Sequence, residues 1–360
     1  MSRTLSVDGL SLSVAEAPAA AEPRPPVLFV HGMFGGGWQF DGWQRLFAGH
    51  GWTSYALDLR GHHASRAVPD LGRLSVHDYV QDALAAAAFL DGRHGSKPVV
   101  IGHSMGGLIT QKVAEAGAAL AAVLLCAAPP RGIPVIGATL LRRMVRHVPA
   151  LLGSRELVMS REDDDALALN RVPLAERAEL HARSVPESGR AGREMALGIV
   201  GVDARRVLCP LVSVSGSDDR FVPSRVGRAL ARKYHAPWWR YPDHAHFLIA
   251  EPGWERIASD VERWAAHVTQ RATQPERDES LWKELKSAIG DLVELEFFDG
   301  YRVRAEIVSV DLAARQRFVY DPVETRAPGA RARYSPRTAD DDVEWSPLVE
   351  LVGLQPLPHM

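Results

Sequence analysis

Five short apolar runs, each ending in glycine or another small residue, do most to limit what this chain can become. They are PVLFVHG (26–32), TSYALDLRG (53–61), PVVIGHS (98–104), AAVLLCAA (121–128) and PLVSVSG (210–216). A run that is apolar at successive positions reads as a strand covered on both faces, as in a parallel sheet. Helix-like stretches lie between the runs, from Phe40 to His50, Ser75 to Leu90 and Gly106 to Gly117. Ser75 and Asp78 supply the hydroxyl and the acid of a helix start. Strand and helix in alternation specify an α/β fold, a mostly parallel sheet flanked by helices. Residues 3–15 add a strand pair ahead of the first run.

One interval breaks this rhythm, because about 80 residues separate Ala128 from Pro210. A structureless loop of that length does not belong inside a compact domain. Short apolar pieces punctuated by Pro and Gly predict an inserted helical lid over about 130–207. Its stripe Ile136, Leu140, Leu141 and Met144 reads as core packing, or as one wall of an acyl pocket.

Residues 269–280 are polar, lack apolar periodicity and contain Pro275, and so read as a linker. It divides a first domain, 1–268, from a small β-rich domain, 281–360. The second opens with a short helix, ESLWKELKSAI, and then alternates with a period of two. A two-residue Asp299-Gly300 turn would set Phe297 against Arg302. A three-residue loop, Phe298-Asp299-Gly300, sets Phe297 against Tyr301, Leu295 against Val303, Glu296 against Arg302 and Glu294 against Arg304. Gly300 is then free to take the left-handed bulge position. The second register matches both faces and predicts a small β-module, read as a barrel.

With 360 residues and 46% hydrophobic content the chain can bury a sizeable core. A net charge of −2 argues against broad capture of nucleic acid or anionic membrane. The two cysteines, Cys126 and Cys209, read as small buried hydrophobes in a reduced compartment. No stretch approaches the roughly 20 apolar residues of a membrane span, and the N-terminus lacks a signal-peptide pattern. A cytoplasmic location is the default expectation.

The sharpest chemical signal is Gly102-His103-Ser104-Met105-Gly106, between an apolar strand and a helix. A serine on so tight a turn needs small neighbours, and its hydroxyl stands at a helix N-terminus where negative charge is favoured. The second signal is His31-Gly32-Met33-Phe34-Gly35-Gly36-Gly37, again just after a strand. Acyl transfer needs backbone N–H donors aimed at the developing oxyanion, and the amides of Met33 and Met105 are the candidates. The GxxxxGK[ST] phosphate loop is absent. His31 and His103 have no partner at metal-site spacing, so neither metal nor cofactor is expected.

The runs HGMFGGGW, YALDLRGHHAS and IGHSMGGL together resemble the α/β-hydrolase superfamily, in its lipase/esterase and cofactor-free haloperoxidase branch. The resemblance covers roughly residues 25–268 and implies a triad in the order serine, acid, histidine. Gly216-Ser217-Asp218-Asp219-Arg220-Phe221-Val222-Pro223 matches the family's G-x-x-D-x-x-V-P turn, placing the acid at Asp219 with Asp218 as its rival. Glu251-Pro252, matching the family's acid and proline after the catalytic histidine, places that histidine at His246 rather than His244. Asp58 to His63 resembles the DxRGxGxS loop, except that His63 stands where glycine is usual. A serine at position 104 sets the chain apart from the dehalogenases and epoxide hydrolases, which carry aspartate there.

These assignments imply a serine hydrolase acting on esters of small or medium apolar acyl groups through an acyl-enzyme on Ser104. His246 would act as base and Asp219 would orient it. Thioesterase or acyltransferase chemistry would use the same groups, and a non-catalytic ligand-binding module is the reading from another class. Phe34, Trp38, Phe247 and Leu140 are expected to wall the substrate pocket. The tail, whose GDLVELEFFDGYRVRAEIVSVD is similar to the first strands of Sm-like barrels, is expected to pack or self-associate rather than bind nucleic acid.

Overall fold

Each apolar run forms a strand, and the reason it lacks polar alternation is visible in where its side chains go. In β3 (Val27–Val30), Val27 and Phe29 enter the core on one face of the sheet, while Leu28 and Val30 enter the core on the other. The computed structural model describes residues 3–135, 140, 142–143, 145–273, 275–298, 300, 302–311, 317–326, 333–334, 344–347 and 351–357. Of the predicted lid stripe, Ile136, Leu141 and Met144 lie outside the described residues, as do Asp299 and Tyr301 of the hairpin.

The main sheet is built on β1 (Arg3–Val7), β2 (Leu10–Ala15), β3, β4 (Ser54–Asp58), β5 (Val99–His103), β6 (Ala121–Leu125), β9 (Leu211–Gly216) and β10 (Trp238–Tyr241). Their order is β1-β2-β4-β3-β5-β6-β9-β10, and a short strand β14 (Arg333–Tyr334) follows at the edge. Every pairing from β4 to β10 is parallel; the β1–β2, β2–β4 and β10–β14 pairings are antiparallel. The chain winds outward in opposite directions from β3 and β5, so the crevice above their C-terminal ends is where such sheets bind ligands.

Helices α1 (Asp41–Gly49) and α9 (Trp254–Ala272) cover one face; α2 (Val76–His94), α3 (Met105–Glu115) and α8 (Ser224–Tyr234) cover the other. Helix α2 starts where the sequence places it. The Ser75 hydroxyl accepts from the Asp78 amide and the Asp78 carboxylate accepts from the Ser75 amide, a reciprocal cap whose loss typically costs about 1 kcal/mol. Gly95 ends the helix in the left-handed region, with φ 66°.

The interval between β6 and β9 is an insertion over the C-terminal strand ends. It carries α4 (Val148–Gly153), α5 (Arg161–Leu167), α6 (Leu174–Ala182) and α7 (Gly189–Ala196). It also holds a short antiparallel ladder between β7 (Glu156–Leu157) and β8 (Glu187–Ser188), which its composition did not predict. Among the described residues no helix is long and apolar enough to cross a membrane.

The stretch read as a linker is largely helical. Helix α9 runs to Ala272 and α10 (Pro275–Ser287) begins three residues later. The helix is carried on because Val268, Thr269 and Arg271 are buried, and Arg271 pairs with Asp278 and donates to the Leu351 carbonyl. Beyond it β11 (Leu292–Phe297), β12 (Arg302–Asp311), β13 (Arg317–Arg326), β15 (Glu344–Pro347) and β16 (Leu351–Pro356) form a five-stranded antiparallel sheet in the order β15-β13-β12-β11-β16. The register of β11 (Leu292–Phe297) on β12 (Arg302–Asp311) is the three-residue-loop register, with Leu295 opposite Val303 and Glu294 opposite Arg304. Gly300 takes φ 78°. The tail is less separate than its alternation suggests, because β14 extends the main sheet along Trp238 and Trp239.

Candidate active site

Four strand ends of the main sheet deliver the site. The turn from β5 into α3 holds Ser104 at φ 54° and ψ −118°, a strained conformation for a residue with a side chain. Close approach explains the flanking glycines. A Cβ on Gly102 would lie 2.2 Å from the Gly106 carbonyl oxygen, and one on Gly106 would lie 2.1 Å from that of Val30. The hydroxyl is thereby raised from the strand end at the N-terminus of α3, where the Met105 amide has no acceptor one turn earlier.

The loop after β3 brings Met33 alongside. Gly32 lies so near Ser104 that a Cβ on it would be 2.8 Å from that of Ser104. Its shape is held from two directions. The Asp58 carboxylate accepts from the Gly37 amide at 2.8 Å, and the Phe34 carbonyl accepts from the Val185 amide of the insertion at 3.0 Å. Phe34 itself has φ 63°.

Asp219 follows β9, His246 follows β10, and the two meet Ser104 in one line. The His246 Nε2 lies 3.0 Å from the Ser104 Oγ, and the His246 Nδ1 lies 2.9 Å from the Asp219 Oδ2. All three side chains are buried. The other Asp219 oxygen accepts from the amides of Phe221 and Val222, at 2.8 and 2.7 Å. Asp218 points elsewhere and pairs with Arg171. His244 lies 3.3 Å from Glu251, not beside Ser104. Glu251 also accepts from the Ala245 amide at 2.7 Å, so it shapes the loop that carries His246.

Burial favours the uncharged form of three further groups near the trio, His103, His31 and Cys126. Burial, with His246 as a like-charged neighbour, pushes His103 down to about 3, and it donates to the His246 carbonyl at 2.8 Å. Burial and His62 hold His31 well below its ordinary value; its Nε2 accepts from the Leu59 amide at 3.1 Å. Both rings serve as props for loops. Cys126 has φ 42°, and burial together with the Asp219 carboxylate pushes its thiol well up. Neither cysteine is in a disulfide.

Cys126, Asp219 and His246 each bring a ligand atom within 4.8 Å of the others, among the described residues. A thiol held protonated is a poor metal ligand, and both His246 nitrogens already face Ser104 and Asp219. The constellation fits proton transfer better than metal binding.

Two cavities meet at Ser104. One, about 110 Å³, is lined by Met33, Phe34, Leu140, Leu151, Leu157, Met195 and Val222, and is almost wholly apolar. The other, about 50 Å³, runs past Trp38, Gln39, Asp164, Ser184, His246 and Phe247 and mixes polar with apolar groups. All four predicted wall residues therefore touch a cavity that also touches Ser104, with Leu140 on the apolar side. Sequence reasoning missed Phe221, whose ring stacks on His246 at 5.0 Å, although it lies inside the turn that located Asp219. It also missed Asp164, whose carboxyl burial pushes up and which accepts from His181 at 3.0 Å. Nothing in the polar run Glu162 to Asp165 sets one acid apart.

A model of the alpha/beta hydrolase family matches residues 27–261. Among solved structures, a soluble variant of the monoglyceride lipase of Saccharomyces cerevisiae is 18% identical with a TM-score of 0.60, covering 75% of this chain and 96% of that one. The monoacylglycerol lipase of Paleococcus ferrophilus is 21% identical with a TM-score of 0.53, covering 72% and 99%. A probable alcohol acetyltransferase of S. cerevisiae is 29% identical over 126 residues, 34% of this chain. That match spans 35% of the length of the yeast protein. The chain belongs to the alpha/beta hydrolase family.

Proposed function

We propose that this alpha/beta hydrolase cleaves carboxylic esters of small or medium apolar acyl groups through an acyl-enzyme on Ser104. The observation that carries the reading is the unbroken line Asp219–His246–Ser104 at the junction of an apolar and a mixed cavity. A neutral serine is a weak nucleophile near pH 7, and a histidine within hydrogen-bond reach, itself held by a carboxylate, is what activates it. Ser104 Oγ bonds to the ester carbonyl carbon as its proton passes to His246 Nε2. The carbonyl oxygen takes the negative charge beside the Met33 and Met105 amides. Collapse breaks the bond to the alcohol oxygen, which leaves with the proton from His246. Water, deprotonated by His246, then attacks the acyl carbon and frees the acid and Ser104. One oxyanion donor is worth roughly 3 kcal/mol of barrier.

The apolar cavity is the seat assigned to the acyl chain. At about 110 Å³ it is smaller than the roughly 150 Å³ cavity that accepts benzene in an engineered protein, which favours short and medium chains. A second reading, transfer of the acyl group to an alcohol in place of water, is favoured by the acetyltransferase relative. Hydrolysis of thioesters would use the same groups.

Nitrophenyl esters of graded chain length, assayed beside acyl-CoA thioesters and with added alcohols, test the reading. Hydrolysis peaking at short or medium chains is the expected result, and ester products from added alcohol would favour transfer. Absence of turnover on every acyl donor would leave the ligand-binding module as the better account.

A further inference from the structure

His63 departs from the glycine usual in its loop, and its ring has a definite place. It lies over the loop that follows β3, where a Cβ on Gly36 would come 2.2 Å from the His63 Cδ2. From there its Nε2 accepts a hydrogen bond from the Trp38 indole at 3.1 Å. An acceptor at Nε2 requires the ring proton to sit on Nδ1. Partial burial, with His62 and Arg183 nearby, lowers the His63 pKa against the pull of Asp58, so the ring stays neutral and Nε2 stays an acceptor. The Arg183 guanidinium lies over the indole ring, 3.8 Å from its centre. Arg183 is in turn 4.0 Å from Asp41.

Two spaces lie against this clamped indole. The 50 Å³ cavity beside Ser104 and an outer cleft of about 530 Å³ share Trp38 and Ser184 as wall residues. The outer cleft is edged by Thr4, Ser13, Asp41, His63 and Arg183, a mixture of hydroxyl, carboxylate and cationic groups suited to an alcohol bearing several hydroxyls. The acyl cavity lies across Ser104 and includes neither Trp38 nor His63.

We propose that Trp38, pinned by His63 and Arg183, is the partition that limits the leaving group, and that the outer cleft receives the far end of a hydroxyl-bearing alcohol when the indole is released. The inference rests on the ester-hydrolase reading and names the leaving-group side of that site. His63 is a positioning residue, acting through Trp38.

The test compares methyl, glyceryl and sorbityl esters of one acyl group, with wild-type protein and the variants His63→Gly, His63→Gln and Trp38→Ala. Glycine tolerates the positive φ of 41° at this position, so His63→Gly keeps the backbone. His63→Gly is expected to raise kcat/KM for the sorbityl ester relative to the methyl ester by at least about tenfold, the scale on which a pocket wall discriminates. Trp38→Ala should raise it further. His63→Gln, whose Oε1 reaches the place of the His63 Nε2 and can accept from the indole, should hold the ratio near the wild-type value, a rescue that loose packing alone would not produce. The preference for acyl chain length should not move in either His63 variant. Unchanged ratios in both His63→Gly and Trp38→Ala, with ester turnover intact, would overturn the partition. Wild-type protein that turns over none of the esters would overturn the underlying reading instead.

Discussion

Two buried trios of hydroxyl, imidazole and carboxylate are wired in opposite orders in this molecule. In Ser104–His246–Asp219 the imidazole stands in the middle. In Tyr79–Glu187–His62 the carboxylate does, accepting from the Tyr79 hydroxyl at 2.6 Å and facing His62 Nε2 at 3.1 Å. The groups are the same in kind and the outcome differs. A central imidazole keeps one nitrogen aimed at a hydroxyl, and that hydroxyl opens on two cavities. A central carboxylate is filled by donors, including the Ser188 amide at 2.6 Å, and lies away from both of those cavities. The first arrangement can move a proton. The second fastens the insertion, which carries Glu187, to the loop after β4 and to helix α2.

That comparison sets an order of effects. Removing the proposed nucleophile should be worst: Ser104→Ala should lower kcat by about 10⁶-fold, the scale found when a serine hydrolase loses its serine. Residual ester turnover within a factor of ten of wild type would move the nucleophile elsewhere. Asp219→Asn comes next, with a loss of about 10⁴-fold in kcat at nearly unchanged melting temperature, because it disturbs the His246 tautomer and leaves the packing alone.

For the fastening trio the larger effect should be on stability. Glu187→Gln leaves its histidine without a counter-charge, and breaking a buried pair costs about 3–5 kcal/mol. Its pH dependence follows from the pair. Burial pulls His62 down, but Glu187 reverses this and holds it above 6.5; burial pulls Glu187 up, but His62, Tyr79 and the Ser188 amide hold it below 4.5. A raised histidine gives stability that is complete below 6.5 and lost as pH climbs through the folded value. A depressed carboxylate gives stability present above 4.5 and lost as pH falls through its folded value. Thermal melts of wild type and Glu187→Gln should therefore differ most between about pH 4.5 and 6.5 and converge on the alkaline side. A gap that keeps widening above that window would mean the pair is not ionised as described.

The smallest effect tests the rival acid. Asp218 pairs with Arg171 where both side chains are partly exposed, a contact worth about 0–1 kcal/mol. Asp218→Asn should change kcat less than about threefold. A loss comparable with that of Asp219→Asn would exchange their roles.

Much of the Ser104–His246–Asp219 arrangement was legible in sequence, and almost none of the fastening trio was. Ser104 sits in a local pattern whose small neighbours are required by approaches of about 2 Å. Asp219 and His246 could be placed because each lies in a short turn that matches a pattern of the family it resembles, and Glu251 proves to shape the very loop it marks. Glu187, in contrast, meets His62 and Tyr79 across 125 and 108 residues, with no periodicity or turn chemistry to announce it. The same holds for β14, which joins the main sheet from far along the chain. The β11–β12 register was readable because adjacent strands carry their own complementarity, apolar on one face and opposite charges on the other. Contacts that depend on single polar residues far apart leave no such trace.

The most direct test of the central claim is mass spectrometry after exposure to a fluorophosphonate. The account predicts one adduct per chain, mapped to Ser104, that disappears in Ser104→Ala. An adduct that persists in that variant, or maps to another residue, would contradict it.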